Sequence, residues 1–460
     1  MPQAAEILRG LWQPLGLPDQ DLARVAFTGA EPALVSSFRV DVAAQVTIAA
    51  VAAAAAHYWR LQGNPAQAIG VDLAAAAAEF LSERLYRLDG KPAPDLWDDL
   101  AGAYRTKDGG SIRLHTNLPH HRAGLLRLLR AAPRRPAVAE AIASWPAERL
   151  EEEGTARGLV LAMARDFAGW DRLPQAAILA AEPLVAVTPL ADAPRRRGPG
   201  GPRPLSGLRV LDLTRIIAGP VCGRALAAHG AVVLRLIAPG LPTMPALDVD
   251  SGRGKYSAHL DLKQADGRER LRELIRRADV LLQSYRPGAL AALGFGAEDV
   301  ARLNPGIVHA SLSAYGEEGP WGGKRGFDSL VQTASGFNLA EAEAAGEAGL
   351  RPLPCQALDH ASGYLLALGT LAALGRQRDM GGGWRVRVSL ARSGLWLRGL
   401  GRRALVGGLP PPVPEREASA SGYGRLEAVR HAARLSLTPA RWALPAMPHG
   451  CHAAAWPAAG

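Results

Sequence analysis

LRVLDLTRIIAGPVCGRALAAHGAVVLRLI (208–237) reads as strand, turn, helix, strand. LRVLDL (208–213) is a short apolar run of the kind buried in a parallel sheet. GPVCGRALAAHG (219–230) opens a helix on Gly-Pro, and AVVLRLI (231–237) is the next strand. The same alternation continues through helix GRERLRELIRRA (267–278), strand DVLLQSY (279–285) and strand IVHASLSAY (307–315). Strands separated by helices predict a parallel sheet with right-handed crossovers. Ligands of such sheets bind beyond the carboxyl ends of the strands, and the loop Thr214–Pro220 lies at one of those ends. No G-x-G-x-x-G follows the first strand, which argues against a dinucleotide site.

The 460 residues suffice for two or three domains, and 48% hydrophobic against 21% charged residues is an ordinary globular balance. The net charge of +10 invites a nucleic-acid reading, but only five of the 53 basic residues are lysines. The arginines alternate with acids, as in RERLRELIRR (268–277), the pattern of a solvated helix face. No nucleic-acid-binding motif accompanies them, so no nucleic-acid partner is expected. A basic surface would attract a small anionic ligand. Cys222, Cys355 and Cys451 are too few and too dispersed for a disulfide framework or zinc site, and no metal is expected. The spacing of His115, His120 and His121 lacks an H-E-x-x-H pattern and fits a helix start near Asn117–Pro119. The opening residues lack a leader pattern, and the alanine-rich stretch 42–58 reads as a buried helix. A cytoplasmic protein with no membrane partner is the expectation.

Two Pro/Gly/Arg-rich segments, 191–206 and 407–422, read as exposed linkers. They divide the chain into 1–190, a large α/β domain over 207–400, and a tail over 423–460. An internal repeat crosses this division. Asp359 opens an apolar helix followed by GGGWRVRVSL (381–390), and Asp41 opens an alanine-rich helix followed by PAQAIGVDL (65–73). From Asp359 to Leu390 is 31 positions and from Asp41 to Leu73 is 32. The first 190 residues therefore read as a partial duplicate of the Asp-helix region, joined to a segment AYRTKDGGSIRLHT (103–116) that alternates like a hairpin around Asp108-Gly109-Gly110.

Six stretches in fixed order carry a resemblance: LSGLRVLDLTRIIAGPVCG (205–223), GRGKYSAHLDLK (252–263), ADVLLQSYRPG (278–288), NPGIVHASLSAYG (304–316), GFDSLVQTASG (326–336) and CQALDHASGYLLALGTLAAL (355–374). Together the chain resembles the family III CoA-transferases, the carnitine dehydratase/bile-acid-inducible group that also holds 2-methylacyl-CoA racemases. The resemblance implies an α/β fold, with a Rossmann-like parallel sheet in a large domain beside a smaller α+β domain. Here the small-domain pattern (YRTKDG, 104–109) precedes the α/β domain, so the segment order is rearranged or partly duplicated. It also implies acyl-CoA as substrate with no metal or redox cofactor, a carboxylic acid as the second substrate, and a homodimer.

Its site residues carry over one by one. Asp359 would be the nucleophile, forming an acyl-aspartyl anhydride and then an aspartyl-CoA thioester; the plainer account is an aspartate capping its helix. The backbone of Arg215, Ile216, Ile217 and Ala218 would lie against the pantetheine and thioester. Arg253, Lys255 and Arg286 would meet the nucleotide end of CoA, where fixed cations suit phosphates. Phe327 stands where the racemase branch has a histidine. A phenyl ring moves no proton, which favours CoA transfer over an acyl-CoA isomerase; a non-catalytic CoA-binding paralogue is the other alternative. The segment LRLIAPGLPT (234–243) lacks the acidic residue usual in the family.

Overall fold

The computed structural model describes residues 3–458. Its centre is a seven-stranded sheet of β1 (Ala186–Ala191), β2 (Arg209–Leu213), β3 (Val232–Ile237), β4 (Lys255–His259), β5 (Val280–Gln283), β6 (Val308–Ser313) and β7 (Gly383–Ser389). The spatial order is β4-β3-β2-β5-β6-β7-β1, parallel throughout except where β1 pairs antiparallel with β7. From β2 the chain winds to β3 and β4 on one side, then returns to β5 and winds to β7 on the other. The order therefore reverses between β2 and β5, and a crevice opens beyond their carboxyl ends. The four strands expected from the sequence, β2, β3, β5 and β6, lie within a residue or two of their expected positions, whereas β1 and β4 were not foreseen.

Three helices set the layer that carries the site: α1 (Val40–Leu61), α2 (Ala218–Ala228) and α4 (Ala357–Met380), with the short α3 (Asp328–Ala334) packed against the last. Helix α4 is apolar on all sides and packs against both α1 and α2. Its approach to α2 depends on Gly363, where a Cβ would fall 2.5 Å from the carbonyl oxygen of Ala218 and 2.8 Å from Cβ of Val221. That contact sets the first turn of α2 beside the first turns of α4. Helix α1 is long and apolar enough to cross a bilayer by length, but the fold covers it.

The arrangement around α4 recurs around α1. Strand Val25–Thr28 pairs in parallel with Ile69–Asp72, with α1 between them, as β6 and β7 pair around α4. Each second strand runs into a short helix, Leu73–Glu79 or Leu390–Gly399, capped by the side chain of Asp72 or Ser389.

The remaining N-terminal residues build a small α+β unit. The hairpin around Asp108-Gly109-Gly110 forms from Gly102–Arg105 and Ser111–Leu114, and Leu161–Met163 adds a third strand. Tyr104, Ile112, Leu125, Val138 and Leu150 fill its core.

Two expected boundaries shift. The division at residue 190 cuts through β1, because this segment pairs antiparallel with β7 at the edge of the large sheet. Of the expected linker 407–422, Arg416–Ser421 is a strand paired with Gly424–Val429, and that sheet continues onto Arg87–Leu88.

Candidate active site

Beyond the carboxyl ends of β2 and β5 lies a cavity of about 350 Å³. Its walls are the loop Arg215–Ala218 after β2, residues 284–287 after β5, 312–314 at the end of β6, 324–327 before α3, Asp359, and Leu118, His120 and His121 from the N-terminal unit. Ile216 adopts φ +72°, a left-handed conformation that a β-branched residue takes only under constraint. The loop thus turns sharply into α2 and lays its backbone along the cavity.

Asp359 is the third residue of α4 and only 6% exposed. It is not a cap: Gln356 occupies the N-cap position and no side chain caps this helix. Its own N–H donates to Oδ2 of Asp328 at 2.9 Å, while the other Asp328 oxygen accepts from the Gln332 amide. Gln332 is fixed in turn by the N–H of Leu353 (2.9 Å) and the amide of Asn338 (3.1 Å). Beside Asp359, His360 meets Glu83 at 3.0 Å and stacks on Phe80, both from the N-terminal part. Among the described residues no cation pairs with the Asp359 carboxylate. The repeat-related Asp41 differs: it pairs with Arg403 at 2.8 Å and accepts the N–H groups of Ala33 (2.7 Å) and Val42 (2.9 Å). Of the two related aspartates, only Asp359 faces the cavity without a counter-ion.

Burial pushes the Asp359 carboxyl well above the usual carboxylate range, and the nearby Asp328 and Glu83 add to the rise. Burial likewise pushes Asp328 up to about 6. A nucleophilic Asp359 must ionise, so the rate should climb with pH through this titration. Removing the negative neighbour lowers the pKa of Asp359. Asp328→Asn, which retains an oxygen for the Asp359 N–H, is therefore expected to move the acid limb of kcat/KM about one unit towards lower pH. A pH–rate profile checks this.

Arg215 and Arg286 both line the cavity, as expected, and neither has an acidic partner among the described residues; Arg215 is steadied by the carbonyl of Pro242. Ile216, Ile217 and Ala218 line it too. Arg253 and Lys255 do not. Arg253, 3% exposed, donates to Asp250 (2.6 Å) and to the carbonyl of Val429 (2.8 Å), and lies 3.9 Å over the Trp442 ring. Lys255, 1% exposed, points inward to Asp212 and the carbonyl of Pro220, each at 2.8 Å. Lys255 begins the edge strand β4 but turns its side chain inward to Asp212, and Arg253 is drawn to the buried Asp250 carboxylate, so both serve the fold.

The sequence reading missed His120, His121, Lys324 and Arg325. The ring of Phe327 stacks on His115 at 4.0 Å and meets His121 edge-on at 6.2 Å. The helix does begin at Pro119, as its sequence indicates, but only the tertiary fold delivers its first turn to a crevice some two hundred residues further on. Phe327 was the available signal: its aromatic face calls for a partner.

A strained loop at the sheet's reversal point, a buried carboxylate without a counter-ion and two arginines without acidic partners thus share one cavity. Residues 205–425 match the family described as CoA-transferase family III. Over 200 residues the chain is 37% identical to an acetyl-coenzyme A transferase of Hypoxylon pulicicidum, covering 42% of this chain and 34% of that protein. Over 185 residues it is 37% identical to a probable fatty acyl-CoA transferase of Mycobacterium tuberculosis, covering 37% and 46%. A crystal structure of a hypothetical protein from M. tuberculosis superposes with TM-score 0.39 at 33% identity, over 44% of this chain and 59% of that one. The chain thus spans about half or less of the curated relatives it matches.

Proposed function

We propose that the chain transfers CoA from an acyl-CoA to a carboxylic acid, with Asp359 as the nucleophile. The observation that carries this is the unpaired Asp359 carboxylate at the wall of a cavity that also presents Arg215 and Arg286 without acidic partners. An apolar slot of about 180 Å³ under Leu236, Leu260 and Leu290 adjoins the cavity, sharing Leu213, Tyr285 and Ala289 as walls. A CoA molecule would place its adenine in the slot, its phosphates at Arg215 and Arg286, and its thioester along 215–218 towards Asp359. The names of the two relatives support the same class of reaction.

The carboxylate attacks the thioester carbonyl, the C–S bond breaks, and CoA leaves as thiolate, giving an acyl-aspartyl anhydride. The thiolate then attacks the aspartyl carbonyl and frees the donor acid as carboxylate, leaving CoA on Asp359. The acceptor carboxylate attacks that thioester, expels the thiolate and forms a second anhydride. Thiolate attack on the acceptor's acyl carbon gives the new acyl-CoA and restores Asp359. The cycle needs no net proton, electron or nucleotide.

Mixing acyl-CoA with its isotope-labelled free acid, without ATP, tests the reading: label enters the CoA ester only if transfer occurs. His121, edge-on to Phe327 in the same cavity, favours a second reading, α-proton exchange on a bound acyl-CoA. Deuterium uptake at the α-carbon without acid exchange would select it. Arg286→Gln is expected to raise the KM for acyl-CoA about tenfold with little change in kcat, read by initial rates.

A further inference from the structure

We infer that the repeat around Asp41 holds a second, non-catalytic binding site. Its ligand is a monocarboxylic acid with an apolar tail, whose carboxylate takes the place of Glu31 on Arg39 and Arg403.

A cavity of about 720 Å³ opens at the carboxyl end of strand Val25–Thr28, beside α1. Its place in the N-terminal repeat matches that of the catalytic cavity. Leu73, the residue after strand Ile69–Asp72, lines it as Leu390, the residue after β7, lines the catalytic one. The chemistry differs. Asp41 is fully buried and spent on Arg403 and on the N–H groups of Ala33 and Val42, so this cavity presents no nucleophile. Two guanidinium groups line it instead, those of Arg39 and Arg403, both largely buried. Both turn to one carboxylate. Arg39 donates to Glu31 from Nε at 2.9 Å and again from Nη2, and Arg403 donates from Nη1 at 3.2 Å. Glu31 is the exposed member of the cluster, with 32% of its side chain open to solvent. Guanidinium forks fit any carboxylate, so a ligand carboxylate can take over these bonds while Glu31 returns to water. Phe27, Pro32, Val42 and Leu73 supply apolar wall, and Val406 leaves a large apolar side chain exposed at the same cavity. A hydrocarbon tail would cover them. Gln45 is committed to the carbonyls of Thr28 and Val71, each at 2.9 Å. Among the described residues the cavity's cations are these two arginines, which suits one carboxylate and not a polyphosphate.

The test is photolabelling with a medium-chain fatty acid that carries a diazirine on its tail, and with its methyl ester as control. Wild type, Glu31→Ala and Arg39→Gln would be compared, with labelled peptides read by mass spectrometry and thermal melts checking the fold. The acid is expected to label peptides that contain Phe27–Pro32 or Ala404–Val406, and the ester is not. Glu31→Ala removes the tethered competitor, so the half-saturating concentration should fall about tenfold. Arg39→Gln should raise it about tenfold or more. Labelling confined to the Asp359 cavity, equal labelling by the ester, or a half-saturation that Glu31→Ala leaves unchanged would overturn the inference. Should Arg39→Gln fail to fold, Glu31→Ala still decides, because breaking a purely structural ion pair gives no gain in acid binding.

Discussion

Asp359→Asn is expected to lower CoA transfer by about a thousandfold or more, because the amide oxygen cannot form the anhydride on which every later step depends. The loss should not come from unfolding. Because the folded-state pKa of Asp359 lies above its unfolded value, its stabilising contribution is complete below about pH 4 and is lost as pH rises through the folded value. Above that folded value the ionised, buried carboxylate burdens the fold, and asparagine removes that burden. The variant should therefore melt at a higher temperature than wild type at pH 8, with the gap closing towards pH 4. Paired rate and thermal-melt measurements check both halves; inactivity with a lowered Tm at pH 8 would mean that Asp359 holds the structure together.

Lys255→Met is expected to cost about 3–5 kcal/mol of stability, the scale for stripping one partner from a buried ion pair. Lys255 and Asp212 are both fully buried, and Nζ also satisfies the Pro220 carbonyl at the start of α2. Methionine fills the volume but leaves the Asp212 carboxylate with only the N–H (3.0 Å) and hydroxyl of Thr214. Urea denaturation measures the loss, and Lys255→Met with Asp212→Leu should recover part of it. The KM for acyl-CoA in the folded variant should stay near the wild-type value. A raised KM with unchanged stability would return Lys255 to the nucleotide-binding role that its motif implies.

Lys255 also marks the limit of what the chain's residues disclose in one dimension. The central strands and α4 were legible because buried strands and apolar helices carry their own periodicity. Asp359, Arg215 and Arg286 were legible because each sits at a strand or helix end, where a parallel sheet exposes its ligand crevice. Arg253 and Lys255 sit in a similar motif, yet their direction is set by Asp250 and Asp212, which no local pattern connects to them. His121 and Arg325 lie about two hundred positions apart and carry no shared motif; only folding the N-terminal unit onto segment 324–327 joins them. The related aspartates show the same limit. Asp41 and Asp359 open comparable helices, but Arg403, far along the chain, neutralises one and leaves the other free.

The most direct test is mass spectrometry of the protein after incubation with a panel of short, branched and dicarboxylic acyl-CoAs, quenched with hydroxylamine or borohydride. The account predicts a single modification on the peptide containing Asp359, absent from Asp359→Asn and absent from Asp41. Bound acyl-CoA with no adduct at Asp359, or an adduct that survives Asp359→Asn, would contradict it.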